Sequence, residues 1–114
     1  FKAVRAYDDR EFLASTDNWF RPVELKIGPD GAMYLLDFYR EAIETPLSLP
    51  EDIKAQLNLE SRGRGRIWRI APKDFTVGKM PDLGGLMGKD LAAELVSANP
   101  WSRLTAQRLL VERQ

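Results

Sequence analysis

The stretch FRPVELKIGPDGAMYLLDFYR, residues 20–40, predicts a β-hairpin. Apolar and charged residues alternate from Val23 to Ile27, which is the period of two of a half-buried strand. The turn follows in GPDG, where proline fixes φ at the second turn position and Gly31 accepts the positive φ that returns the chain. The return strand is apolar except for Asp37. Antiparallel strands are expected over about 22–28 and 32–39.

A third strand is predicted further along the chain, in the sequence GRGRIWRI. Its residues alternate again, so that Arg66 and Trp68 face one side of the sheet and Ile67 faces the other. Pro72 ends the strand, because proline has no N–H to donate to a strand ladder. This strand is expected over about 65–71.

The segment between the second and third strands is too long for a hairpin loop and carries a helix signal of its own. Ser48 can cap a helix that has Pro50 in its first turn. Ile53 and Leu57 follow four residues apart, which places them on one helical face. A helical insertion is expected over about 50–58.

Helical spacing replaces the strand pattern after Gly88. Leu91 and Leu95 lie four residues apart, and the stretch ends at SANP. Asn99 can cap a second helix that has Pro100 in its first position. That second helix has apolar residues on several faces, so it expects neighbours on more than one side. A linker is expected over 73–88 and a helix pair over about 89–97 and 100–112.

The composition excludes several classes of chemistry. The chain has 114 residues, with 17 basic and 17 acidic side chains, so no net field attracts nucleic acid or anionic lipid. It has no cysteine and no histidine, which excludes disulfides, Cys/His zinc sites, Ser-His-Asp triads and covalent haem within these residues. No apolar run approaches the roughly 20 residues of a membrane span. The acids near Glu51 lack the spacing of a calcium loop, so no metal site is predicted.

The predicted sheet is incomplete by itself. Three strands with one apolar face leave their edges open, and so small a sheet is a poor independent fold. Short antiparallel strands joined by a Pro-Asp-Gly turn are typical of one blade of a β-propeller. The chain also begins at Phe1 rather than at methionine. We therefore expect a β-then-α fragment of a longer chain, in which a partial blade precedes the start of a stacked helical array.

Two stretches carry a resemblance to a known family. EFLASTDNWFRPVELKIGPDGAMYLLDFYREAIETPLSLPEDIKAQLNLESRGRGRIWRIAP resembles the closing propeller blade of the membrane-bound dehydrogenases of planctomycetes, whose propeller is similar to that of quinone-dependent glucose and sorbosone dehydrogenases. SANPWSRLTAQRLLVER resembles the first helices of the HEAT-like array that follows that propeller. The resemblance implies a closing blade at 1–72, a linker at 73–88 and the first HEAT-like helices at 89–114.

The resemblance implies that the parent protein is a periplasmic or secreted oxidoreductase. Its substrate would be a sugar or polyol, with electrons passing to pyrroloquinoline quinone or a c-type haem. No cofactor is expected within this chain, and no activity is expected of it alone, because a cofactor must be enclosed by several blades. The partners are the remaining blades and HEAT-like repeats of the parent. The alternative, which the sequence leaves open, is a carbohydrate-binding or protein-interaction scaffold without chemistry.

Asp37 and Arg40 are the candidate catalytic residues, because they follow an apolar strand near the mouth where propellers bind ligands. Asp37 would act as a base or hydrogen-bond acceptor, and Arg40 would hold an acidic or polyol ligand. The alternative is that Asp37 caps the turn after the strand, while Arg40 pairs with Glu41 or Glu44 and the aromatic residues between them pack between blades.

Arg64 and Arg66 are weak candidates for binding a cofactor. In the sugar dehydrogenases that the chain resembles, arginines near the propeller axis contact the quinone, so either side chain could point into such a site. Both lie in RGRGR, a sequence that also occurs in flexible RNA-binding tails. The balanced net charge favours a glycine-rich entry to the third strand instead.

Overall fold

The computed structural model describes residues 2–43, 45–60, 62–78 and 80–113. It contains a three-stranded antiparallel sheet followed by helices, which is the β-then-α order that the sequence predicts. The strands are slightly shorter than expected and lie side by side in chain order. They are β1 (Pro22–Ile27), β2 (Met33–Asp37) and β3 (Arg66–Ile70).

The strand register sorts the side chains into an apolar face and a mixed face. Leu25 lies opposite Leu35, and Leu35 lies opposite Trp68, so all three share the apolar face. Lys26, Tyr34 and Arg69 line up in the same way on the other face. Of these six residues only Leu35 is fully buried. The sheet therefore leaves much of its apolar face uncovered.

The turn between β1 and β2 has the predicted glycine geometry. Gly31 adopts a φ of 83°, and its N–H donates to the Gly28 carbonyl at 3.0 Å. Asp30 Oδ1 accepts from the Ala32 N–H at 3.0 Å, which closes the turn from the side-chain side. A Cβ at Gly28 would lie 2.4 Å from the Tyr34 ring, so only glycine fits at this position.

The helical insertion is shorter than predicted. Within residues 45–60, its one α-helical turn is α1 (Glu51–Lys54), preceded by a 3-10 turn at Pro46–Ser48. Ser48 is not the helix cap; its hydroxyl donates to the Thr45 carbonyl, and Pro50 occupies the cap position without a side-chain bond. The prediction of a helix over 50–58 was therefore wrong in extent, because no cap reinforces the start and the Asn58 N–H bonds to the Glu41 carboxylate instead of continuing the helix.

The C-terminal segment forms the predicted helix pair. Helix α2 (Gly88–Ala93) passes into a 3-10 turn at Glu94–Val96, and α3 covers Pro100–Glu112. Asn99 caps α3 as predicted, since its side chain accepts from the Trp101 N–H at 2.9 Å. Leu83, Leu91 and Ala106 form the buried core of this segment. Leu83 and Leu86 contribute to it from within the stretch 73–88.

Asn99 also joins the helices to the sheet. Its side-chain amide donates to the carbonyls of Gly28 and Pro29, each at 3.1 Å. The same side chain therefore caps α3 and holds the hairpin turn. Within the described ranges, no helix is both long and apolar enough to cross a membrane.

Candidate functional site

Asp37 is the centre of the polar cluster at the end of β2. It is only 2% exposed, and both of its carboxylate oxygens accept hydrogen bonds. Oδ1 accepts from the backbone N–H groups of Arg21 and Tyr39, both at 2.9 Å. Oδ2 accepts from Nε and Nη2 of Arg66 at 3.0 and 2.8 Å and from the Trp68 indole at 3.1 Å. Two donors at one oxygen and three at the other leave this carboxylate fully engaged.

The surroundings of Asp37 strongly favour its ionised form. Burial by itself raises the pKa of Asp37, but the bonds from the Arg21 amide, the Trp68 indole, Arg66 and the Tyr39 amide outweigh burial and lower the pKa to about 2. A general base works best with a pKa near the working pH and needs an oxygen that can reach the substrate proton. Asp37 has neither property, so the geometry is that of a structural acceptor.

Arg66 lies close to two aromatic rings and is bound by Asp37. Its guanidinium carbon lies 3.5 Å from the Tyr39 ring centre and 4.8 Å from the Trp68 ring centre. Asp17 adds a second, more distant carboxylate at 3.7 Å from Nη2. The charge of Arg66 is therefore balanced within the cluster, and its guanidinium is not free to hold an anionic cofactor.

The structure does not bring Arg40 and Arg64 into this cluster. The Arg40 guanidinium lies 4.7 Å from the Phe38 ring centre, and Arg64 lies 5.8 Å from the Trp19 ring centre. Neither arginine forms an ion pair within residues 2–43, 45–60, 62–78 and 80–113. The suggested partner Glu44 lies outside the described residues, and the Glu41 carboxylate accepts from the Asn58 N–H. Of the four candidates, only Asp37 and Arg66 meet.

Sequence reasoning missed two partners of Asp37. Arg21 contributes a backbone N–H just before β1, and Trp68 contributes its indole from β3. The bond from the Tyr39 N–H is the cap of the turn after β2 that the alternative interpretation expected. The alternation of β3 correctly placed Trp68 and Arg66 on one face, so the sequence pattern could predict that these two side chains lie together. What the pattern lacked was the register that sets Asp37 opposite Arg66.

Comparison with known families identifies the N-terminal part of the chain. Residues 1–74, which include all three strands and the whole Asp37 cluster, match a domain of unknown function, DUF7133. The chain belongs to the DUF7133 family. No curated protein and no solved structure matches it.

The DUF7133 region holds a second Asp–Arg pair at the opposite end of β2. Arg69 Nε donates to Asp30 Oδ2 at 2.8 Å, and the Tyr34 hydroxyl donates to the same oxygen at 3.0 Å. Burial raises the pKa of Asp30, and the bonds from Arg69, the Ala32 amide and Tyr34 outweigh it, so that the pKa lies below its ordinary value. Phe75 lies 5.2 Å from the Arg69 guanidinium. The Asp30–Arg69 pair therefore also stabilises a turn and does not form an open ligand site.

In the DUF7133 region, a groove of about 290 Å³ borders the Asp37 cluster beside β3. Asp17, Arg66 and Trp68 supply its polar and aromatic wall, and Leu13 and Phe20 supply its apolar wall. Trp68 is 44% exposed, although its indole N–H is held by Asp37. Within the described part of the chain, no three carboxylate, histidine or cysteine side chains converge as a metal site would require. The groove therefore presents one carboxylate, one guanidinium and an exposed indole beside an apolar wall.

Proposed function

We propose that this chain is a non-catalytic scaffold: a β-propeller blade joined to the start of a HEAT-like helical region. Asp37 carries this proposal, because both of its oxygens are occupied by donors from the chain itself. A carboxylate that binds a strand end, a following turn and a neighbouring strand organises the sheet. Its low pKa supports the same role.

The exposed apolar face of the sheet supports the blade part of the proposal. Leu25 and Trp68 are 48% and 44% exposed on the face that also holds Leu35. Apolar side chains at these positions are stabilised when another sheet packs on them, as blades do in a propeller. Asn99 supports the junction part, because it fixes the first long helix directly to the hairpin turn.

For the longer protein we propose oxidation of a sugar or polyol in the periplasm or outside the cell. The support is the resemblance to quinone-dependent sugar dehydrogenases, with the chemistry in other blades. The described residues do not fit a quinone site, because Arg66 is already paired with Asp37 and the guanidinium groups of Arg40 and Arg64 lie over different rings. No catalytic step is therefore assigned to this chain.

The test is a dye-reduction assay on the full-length parent protein, with and without pyrroloquinoline quinone, against aldoses and polyols. Arg40→Ala and Arg64→Ala should leave the turnover unchanged, as should the control Arg62→Ala at another exposed arginine. Asp37→Asn should lower activity only in proportion to the loss of folded protein, measured by circular dichroism. A folded Asp37→Asn protein without turnover would contradict the scaffold proposal and assign Asp37 to the active site.

A second candidate is carbohydrate binding in the groove beside β3, and the observation that favours it is the exposed but fixed indole of Trp68. A rigid aromatic face packs well against the C–H face of a sugar ring at little entropic cost. Asp17 beside it supplies an acceptor for hydroxyl groups. Calorimetric titration with monosaccharides and oligosaccharides tests this. Binding lost in Trp68→Ala but kept in Trp101→Ala supports it, and no heat at millimolar sugar contradicts it.

A further inference from the structure

The two outer strands of the sheet differ in what lies beside them. Residues of the segment 13–20 line the groove beside β3. The edge of β1 is open: grooves of about 610 and 320 Å³ border it, the larger one between β1 and α3. Val23 and Leu25 are 56% and 48% exposed. An open strand edge with exposed apolar residues is a template for pairing with another strand.

The hydrogen bonds of the hairpin fix which peptide groups face outward. The Gly28 N–H donates to the Ala32 carbonyl at 2.9 Å, so Gly28 is turned toward β2. Directions alternate along an antiparallel strand, so Lys26 and Glu24 also turn their peptide groups toward β2. The peptide groups of Leu25 and Ile27 therefore point away from the sheet. A strand added to this edge must bond to these outward groups.

The charges of β1 select one register for pairing with itself. An antiparallel second copy that bonds to the outward groups can be centred on Leu25, with Leu25 opposite Leu25 of the second copy. Glu24 then lies opposite Lys26 of the second copy, and the symmetry repeats that ion pair. A shift of the second copy by two residues in either direction places Glu24 opposite Glu24, or Lys26 opposite Lys26. Only the register centred on Leu25 pairs unlike charges.

The same register also matches the faces of the two sheets. Ile27 shares the face of Leu25 in the regular part of β1, so apolar side chains of both copies meet on one face around the central Leu25 pair. Glu24 and Lys26 meet on the opposite face, because they share it with Leu36 and Tyr34 of β2. The direction of the outward peptide groups, the signs of the charges and the faces of the side chains therefore all favour the register centred on Leu25.

We propose that β1 pairs with β1 of a second copy of this chain, forming a symmetric dimer with a continuous six-stranded sheet. The inference stands on strand geometry and charge alone and does not depend on the scaffold proposal above. Its partner is a second copy because the edge is complementary to itself.

The test is a charge-swap series on the full 114-residue chain, with the dimer dissociation constant measured by sedimentation equilibrium. Glu24→Lys creates two Lys–Lys pairs per dimer, and Lys26→Glu creates two Glu–Glu pairs. Each single variant should raise the dissociation constant by about tenfold. The double variant Glu24→Lys/Lys26→Glu should restore dimerisation, because its charges are exchanged but still opposite.

Mixing the two single variants gives the sharpest result. A chain with Lys at both positions and a chain with Glu at both positions should form a heterodimer with every pair unlike, although each chain alone pairs weakly. Circular dichroism of each variant checks that the sheet is retained, which is expected because both side chains are exposed. Amide hydrogen exchange should show that Leu25 and Ile27 gain protection as protein concentration rises.

Three results would overturn the proposal. The first is a wild-type chain that stays monomeric at millimolar concentration, in which case Lys26 protects the edge from pairing. The second is single variants that dimerise as well as the wild type. The third is a dimer in which Leu25 and Ile27 gain no protection, since the contact would then lie on another surface.

Discussion

The two ends of β2 carry the same pair of residue types in different surroundings. At one end Asp37 binds Arg66 and is almost completely buried, with donors from three further groups. At the other end Asp30 binds Arg69, whose side chain is 40% exposed. Both carboxylates have lowered pKa values. The Asp30 side chain is itself only 7% exposed, so the two ends differ less in burial than in the number of donors that each carboxylate binds.

Asp37 connects three separate parts of the chain, whereas Asp30 mainly closes its own turn. Arg21 before β1, Tyr39 after β2 and Trp68 in β3 all depend on Asp37 for an acceptor. Asp30 accepts from Ala32 and Tyr34, which are near neighbours in sequence, and from Arg69. An acceptor shared by distant donors organises tertiary structure, and an acceptor shared mainly by near neighbours reinforces local structure.

The largest effect is expected for Asp37→Asn. The substitution leaves the partly buried Arg66 without its nearest counterion. It also replaces one carboxylate oxygen with an NH2 group, which places a donor against groups that themselves donate. The free energy of unfolding should therefore fall by about 3–5 kcal/mol. Urea unfolding at neutral pH measures the loss. Asp30→Asn, the same change at the other end of β2, is the control. Equal losses for the two variants would remove the distinction between the two ends.

The pH dependence of stability should follow the titration of Asp37. Its pKa is about 2 in the folded protein against an ordinary value of 3.8, so the folded state favours the carboxylate. The resulting stabilisation, about 2 kcal/mol, is present above pH 3.8 and is lost as the pH falls through 2. Urea unfolding from pH 6 to pH 2 should show the gap between the wild type and Asp37→Asn narrowing. A constant gap would mean that the charge of Asp37 contributes nothing.

Trp68→Phe should have a smaller effect on the same cluster. It removes one N–H donor from Asp37 and keeps an aromatic ring, so the free energy of unfolding should fall by about 1 kcal/mol. The pKa of Asp37 should rise toward its ordinary value, as followed by carboxyl carbon chemical shifts in an NMR titration. Trp101→Phe is the control, because Trp101 packs in the helical core and should leave that titration unchanged. An unmoved pKa in Trp68→Phe would show that the indole bond is unimportant.

The smallest effect is expected for Asp30→Asn. The loss of stability should be well below that of Asp37→Asn, because water already screens the exposed Arg69 and the asparagine oxygen can still accept from the Ala32 N–H. The effect should shrink further in high salt, whereas that of Asp37→Asn should persist. Urea unfolding at low and high salt compares the two. A loss that does not depend on salt would show that Asp30 acts mainly through its turn.

Local sequence predicted the hairpin and the last helix well. The GPDG turn depends on a proline, an aspartate side chain and a glycine with positive φ, all within four residues. The start of α3 depends on Asn99 and Pro100, which are adjacent. Such features need no information about distant parts of the chain. The insertion was predicted less well, because its short helix competes with a long-range bond between Asn58 and Glu41.

The candidate site was only half accessible to sequence reasoning. An acid after an apolar strand had to find a polar partner, which correctly marked Asp37 as unusual. Arg66 was considered separately as a quinone ligand, although the register of β2 and β3 makes it the partner of Asp37. That register spans an insertion of more than twenty residues, so no local pattern contains it.

The amino-acid sequence by itself therefore determined the turn chemistry, the order of strands before helices and the alternation that divides the sheet into two faces. Tertiary structure alone decided that Arg21, Arg66 and Trp68 converge on Asp37, and that Asn99 holds the hairpin turn as well as capping α3. The physical reason is the separation, along the sequence, of the groups that bond to one another. Turns and caps are fixed by bonds within a few residues, whereas a shared acceptor depends on how distant strands are placed against one another.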